Sequence, residues 1–210
     1  MRIINGPLGS STGKVMAYTS KLPASWNDRP PPRNVDIDLS SPGLAVFELE
    51  RLLFTGKAII SHADEVWPGV YIGDQQSGEN RNDLCKHGIT HILNAAHSER
   101  QSRPEIYQGM KIVYKGVEAR DSCGFDMSVN FQAAADFISM ALSRGGKVLV
   151  HCQVGVSRSA TLVLAYLMLK QRLTLVEAIC AVKENRGVIP NRGFLRQLIH
   201  LDWQLFGKHY

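Results

Sequence analysis

From Gly43 onward, apolar residues recur at spacings that switch between the helical and the extended period. LAVFELERLLF (44–54) sets its apolar residues three and four apart and is followed by Gly56, which predicts an amphipathic helix. Its apolar stripe is expected to cover the core rather than to form a dimer surface. VWPGVYIGD (66–74) predicts a strand entered through a Pro-Gly turn, and GENRNDLCKHG (78–88) a helix closed by Gly88. THILNAA (90–96) and KIVYKGVEA (111–119) predict further strands, with a helix over FQAAADFISMALSRGG (131–146) ending in glycines. KVLVHC (147–152) has almost no polar position, as expected of a central strand covered on both faces. Three helices follow. One runs from about Ser157 through ATLVLAYLMLK, and one starts at Thr174, with Glu177 completing a capping box, and ends at Arg186-Gly187. The last opens after Pro190 and carries FLRQLIHLDWQL. Strands alternating with helices predict an α/β fold: a central, largely parallel twisted sheet flanked by helices.

Residues 1–42 show no such period. They are rich in Pro, Gly, Ser and Asn, with three prolines at 30–32, and are expected to form a flexible tail before a domain spanning 43–210. GSSTGKV (9–15) has the look of a phosphate-binding loop, but its glycine spacing is one short and no Ser or Thr follows Lys14.

At 210 residues the chain has room for one ordinary domain with a core. Its net charge of +5 suits an anionic ligand and an unremarkable surface equally well, so charge decides nothing. The four cysteines, Cys85, Cys123, Cys152 and Cys180, form no C-x-x-C pair and no Cys/His cluster at metal-ligand spacing, so no metal is expected. There is no secretory-signal pattern, and the longest apolar run, 162–169, falls far short of the ~20 residues of a membrane span. A reducing compartment, cytoplasm or nucleus, is the expected location, and there a free thiol persists.

That matters for the stretch 148–159, VLVHCQVGVSRS. An apolar strand ends at a cysteine, five loop residues follow (Gln153, Val154, Gly155, Val156, Ser157), and a helix begins at Arg158. Ligands in open α/β sheets bind at the carboxyl ends of strands, and a helix N-terminus presents unpaired N–H groups. If the loop wraps back, its N–H groups make an anion nest. Such a nest lowers the pKa of Cys152, and Gly155 permits a tight or left-handed turn. Arg158 offers a planar fork for two phosphate oxygens. Ser159 is placed to donate a hydrogen bond to the sulfur, and His151 to orient the loop from behind. Singly, a buried thiol or a first-turn arginine signifies little; together they specify a phosphate-handling cysteine. A leaving oxygen also needs a proton. Asp121, in GVEARDSCGFD, is the first candidate; Asp126 precedes a helical stretch, where capping is the plain role, and Glu118 sits near the strand end, so spacing alone leaves the choice open.

On these residues the chain resembles the cysteine-based dual-specificity protein phosphatases. HCQVGVSRSA is similar to their signature loop and ARDSCGFDMS to their acid loop, with Asp121 at the matching aspartate. VWPGVYIGD, ITHILNAA and NRGVIPNRGFLRQL resemble further blocks, so that the likeness covers roughly 43–205. FELERLL and HADEVWPG are most similar to the small atypical members without a kinase-docking domain.

The resemblance implies a protein-tyrosine-phosphatase-like fold, attack by Cys152, a phosphocysteine intermediate, proton donation by Asp121 and hydrolysis by water. It implies no cofactor, and substrates phosphorylated on Tyr and on Ser or Thr, mitogen-activated protein (MAP) kinases among them. Asn191 matches a position that buttresses the loop. Val154 stands where some relatives carry an acid, a departure that bears on substrate choice. With no aromatic-bearing segment before the domain to build a deep slot, the pocket is expected to be shallow enough for Ser and Thr phosphates.

Three alternatives stand beside this. A phosphoinositide phosphatase would place lysines in the loop, where QVGVS has none; an RNA 5′-triphosphatase would want a stronger basic field. The third is a module that binds phosphoproteins without cleaving them. No nucleic-acid partner is expected, and monomer and homodimer are equally open. A low-pKa thiol is the form that oxidises, which makes pairing of Cys123 with Cys152 the alternative to the plain expectation that Cys123 fills the loop.

Overall fold

The computed structural model describes residues 37–98, 100 and 102–207; residues 1–36, which hold most of the expected tail and the GSSTGKV segment, lie outside the described residues. Among the described residues five strands, β1 (Ala63–Trp67), β2 (Val70–Gly73), β3 (His91–Asn94), β4 (Val113–Gly116) and β5 (Val148–His151), form one sheet in the order β1-β2-β5-β3-β4. The pairs β2–β5, β5–β3 and β3–β4 are parallel, while β1 runs antiparallel to β2. β5 lies at the centre with all four residues buried, which explains why its sequence has so little polar character.

Among the described residues, seven α-helices cover this sheet: α1 (Pro42–Leu53), α2 (Gln75–Glu79), α3 (Arg81–His87), α4 (Phe131–Ser143), α5 (Arg158–Gln171), α6 (Leu175–Lys183) and α7 (Arg192–Phe206). Alternation along the strands divides the interior in two. Val70, Ile72, Leu93, Val148 and Val150 face the larger core with α1 and α4 to α7, while Tyr71, Ile92 and Leu149 face a smaller one with Leu84, Ile89 and Tyr107. α5 is buried from Arg158 through Met168 without interruption. A helix apolar all round belongs in the middle of a fold, and α5 carries the site's arginine at its first position. α1 buries Ala45, Val46, Leu49 and Leu53 and leaves Leu44 and Phe47 exposed, so its core-covering role holds. Within the segment expected as tail, Leu39 is buried in the same core.

Two elements differ from the sequence reading. The strand after the Pro-Gly turn has a partner before it, β1, of which only Val66 is fully buried. An edge strand with one buried residue gives no alternation to read. The helix predicted over 78–88 is two helices, because Asn80 is extended (φ −85°, ψ 93°) and its side chain caps the N-terminus of α3 by accepting from the Asp83 N–H.

Candidate active site

β5 delivers Cys152 to the carboxyl end of the central strand, and the loop 153–157 returns the chain to the N-terminus of α5. The return turns on Gly155, whose φ of +74° is left-handed. A Cβ at this position would stand 2.6 Å from the Gly73 carbonyl carbon, so the glycine is required for backbone conformation and for close approach alike.

Cys152 is 2% exposed. Its sulfur lies 3.3 Å from Ser159 Oγ and accepts from the Gly155 N–H at 3.2 Å. Burial, the largest single influence, pushes the thiol pKa up; donation from the Ser159 hydroxyl and from the N–H groups of Ser159, Gly155 and Val156 outweighs it and holds the pKa below its ordinary value. The donors are fixed by backbone, so the loop favours sulfur as an anion. Gln153 and Val154 are exposed at the rim.

Arg158 is also buried. Its Nη1 donates to the Ala119 carbonyl and its Nη2 to Gln153 Oε1, each at 3.1 Å, while Nε is buried with no partner among the described residues. The guanidinium is therefore held in plane from two sides beside the loop, with donor capacity to spare for an anion.

Asp121 joins this loop through a hydroxyl. Ser157 Oγ donates to Asp121 Oδ1 at 2.8 Å, and Asn191 Nδ2 donates to the same oxygen at 2.8 Å. Asn191 in turn donates its N–H to Ser157 Oγ and caps α7 by accepting from the Phe194 N–H. Asp126 spends its Oδ1 on the N–H and hydroxyl of Ser128, at the turn that leads into α4. Glu118 is exposed on the stretch after β4. Of the three carboxylates weighed in the sequence, Asp121 is the one tied to the cysteine loop. Cys123, two residues further on, is exposed.

His151 sits behind the loop, 3% exposed, with both ring nitrogens unpartnered among the described residues. A Cβ on Gly78 of α2 would stand 2.7 Å from its ring. Burial lowers its pKa from 6.5 to about 4, so the folded protein holds the ring neutral. The unfolded chain therefore binds the proton first as pH falls. Stability from this residue is complete above pH 6.5 and is lost on acidification toward about 4. The loss amounts to ~3 kcal/mol. Urea unfolding between pH 7 and 4 is expected to show a shallower pH dependence for His151→Gln than for the wild type.

Two supporting residues carry no signal in the sequence. Arg186, expected only as a helix end, is 1% exposed and donates from Nε to the Gly155 carbonyl at 3.0 Å and from Nη1 to Asp64 Oδ2 at 2.7 Å. Gln197 of α7 accepts from the N–H groups of Met127 and Ser128 and donates to the Phe125 carbonyl, anchoring the far end of the Asp121 loop. Gly193 completes that seat, since a Cβ there would collide with the Cys123 backbone.

Comparison with known proteins shows the family and the fold. Residues 70–204 match the family model described as dual specificity phosphatase, catalytic domain. The chain is 67% identical over 165 residues to human dual specificity protein phosphatase 26, covering 78% of each chain. Among solved structures it resembles human DUSP28 (TM-score 0.63, 27% identity, 71% of this chain and 98% of that one). It also resembles the human tyrosine phosphatase-like serine/threonine/tyrosine-interacting protein (TM-score 0.58, 32% identity, 65% of this chain and 92% of that one).

Proposed function

This chain belongs to the dual specificity phosphatase family and is a dual-specificity protein phosphatase, and we propose that it works through Cys152 as nucleophile, Arg158 as phosphate ligand and Asp121 as general acid. The observation that carries the assignment is the convergence of N–H groups and the Ser159 hydroxyl on one buried sulfur.

The thiolate of Cys152 attacks phosphorus while the N–H groups of the loop and the fork of Arg158 hold the three equatorial oxygens. The bond from phosphorus to the substrate oxygen breaks, and Asp121 gives that oxygen its proton. A phosphocysteine remains. Water then attacks phosphorus, the Asp121 carboxylate takes up its proton, and the sulfur leaves with a hydrogen bond from Ser159. The products are the free hydroxyl side chain and inorganic phosphate. Asn191 and Ser157 hold Asp121 against the loop. No cofactor enters these steps.

The substrates in this reading are proteins phosphorylated on Tyr and on Ser or Thr, MAP kinases among them, met in the cytoplasm or nucleus. Val154, 67% exposed on the rim, gives the pocket an apolar edge. The test is a substrate-trapping pull-down with Asp121→Ala, which keeps the phosphate site and stalls turnover. Phosphorylated MAP kinases are expected in the trapped fraction, released by vanadate. Turnover of phosphotyrosyl and phosphothreonyl peptides by the wild type is measured alongside. A preference of several orders of magnitude for one of them sinks the dual-substrate reading, and inositol lipids turned over faster than either would move the enzyme to another substrate class.

A further inference from the structure

Three carbonyls of the cysteine loop are held by donors from elsewhere in the fold. Gln153 O accepts from the Gln75 N–H at the start of α2 (3.2 Å), Gly155 O from Arg186 Nε (3.0 Å), and Val156 O from the Ile189 N–H (2.9 Å). In a trans peptide the carbonyl and the next N–H point in opposite directions. Each carbonyl drawn outward therefore turns the following N–H inward, those of Val154, Val156 and Ser157. Two of these restraints come from backbone. The third depends on one side chain.

That side chain is placed at some cost. Arg186 is a buried cation whose partner, Asp64 on the edge strand β1, also accepts from Ser61 Oγ, and its Nη1 makes a second bond to the Ser61 carbonyl. A buried ion pair contributes little net stability compared with apolar residues of the same volume. An apolar residue at position 186 would fill the space but leave the Gly155 carbonyl unbonded. The fit is close: a Cβ on Gly155 would stand 2.8 Å from Arg186 Nη2.

We propose that Arg186 is a positioning residue for the reaction: by holding the Gly155 carbonyl on the outside of the loop, with Asp64 as its anchor, it turns the Val156 N–H toward the Cys152 sulfur. The proposal rests on the assignment of Cys152 as the nucleophile. Among the described residues, the charged groups around the sulfur and its loop include Arg158 on α5, Arg186 with its partner Asp64 on β1, Asp121 through Ser157, Asp74 before α2, and the Glu79–Arg103 pair lining the cleft beside Cys152; burial keeps His151 neutral. Arg186→Lys preserves every one of these charges. It removes the fork that reaches the Gly155 carbonyl and Asp64 together, so it separates the placement of an N–H group from the loss of a cation.

The experiment follows the rate at which iodoacetamide alkylates Cys152 in the full chain, read by mass spectrometry of the Cys152 peptide from pH 5 to 9. Wild type, Arg186→Lys and Asp64→Asn are compared, with thermal unfolding recorded for each. The midpoint for Arg186→Lys is expected to move to higher pH, with about a tenfold slower reaction below it for each unit of movement. Asp64→Asn is expected to move it in the same direction by less. A folded Arg186→Lys protein with the wild-type midpoint overturns the proposal. Should that variant not fold, an unmoved midpoint in Asp64→Asn overturns it. A wild-type midpoint at the free-thiol value of ~8.5 overturns instead the assignment of Cys152, and the proposal with it.

Discussion

Cys152→Ser is expected to bring hydrolysis of an aryl phosphate down to the buffer background, a loss on the order of 10⁴-fold or more in kcat. The loop lowers a thiol pKa with hydrogen bonds from Ser159, Gly155 and Val156, and a serine hydroxyl starts too far above neutrality for the same donors to ionise it. The cup itself survives the change, since its donors belong to backbone and to Ser159. Binding of vanadate or phosphate, measured by calorimetry, is expected to stay within about tenfold of wild type, allowing roughly 1 kcal/mol for a lost hydrogen bond. Equal slow turnover by wild type and Cys152→Ser would sink the catalytic reading and favour a module that only holds phosphoproteins. That outcome matters because the fold also occurs in a protein named as phosphatase-like and interacting, so fold alone does not decide.

Arg158→Lys is expected to cost less, on the order of 10³-fold in kcat/KM, taking roughly 10²–10³ for each transition-state donor removed. The guanidinium is held by two acceptors, the Ala119 carbonyl and Gln153 Oε1, which fix the plane of its fork. A lysine ammonium restores the charge without the fork, and on its flexible stem it cannot grip two oxygens in one plane. Both kcat and the affinity for vanadate are expected to fall, because the fork holds the anion in the ground state and more tightly as the oxygens flatten. A lysine variant within tenfold of wild type would show that charge alone suffices and would remove Arg158 from its assigned role.

The parts of the fold that the sequence made legible are those with a strong period or a loud local signal. β5, α4, α5 and α7 follow from apolar runs, from the glycines after α4 and from Pro190 before α7, and the loop 152–158 follows from its own chemistry. What stayed hidden depends on contacts distant in the chain. β1 is an edge strand with one fully buried residue, so its pairing with β2 leaves no mark on ADEVW. Arg186 looks like any basic residue at a helix end; only the approach of Gly155 and Asp64, far away in sequence, makes it a clasp. Asp121 and Asp126 were indistinguishable by spacing. Ser157 and Asn191 single out the first, while Ser128 occupies the second.

The loop bearing Asp121 owes its seat to α7, through Asn191, Gly193 and Gln197. That helix comes after the cysteine, the arginine and the whole sheet in the order of synthesis. A chain that ends at α6 lacks Arg186 and Ile189, which hold two carbonyls of the cysteine loop, and the helix that seats the Asp121 loop and fills the core with Phe194, Leu195 and Leu198. The last stretch of the chain thus completes both the loop and its neighbour, and the arrangement around Cys152 closes only when the final described helix docks.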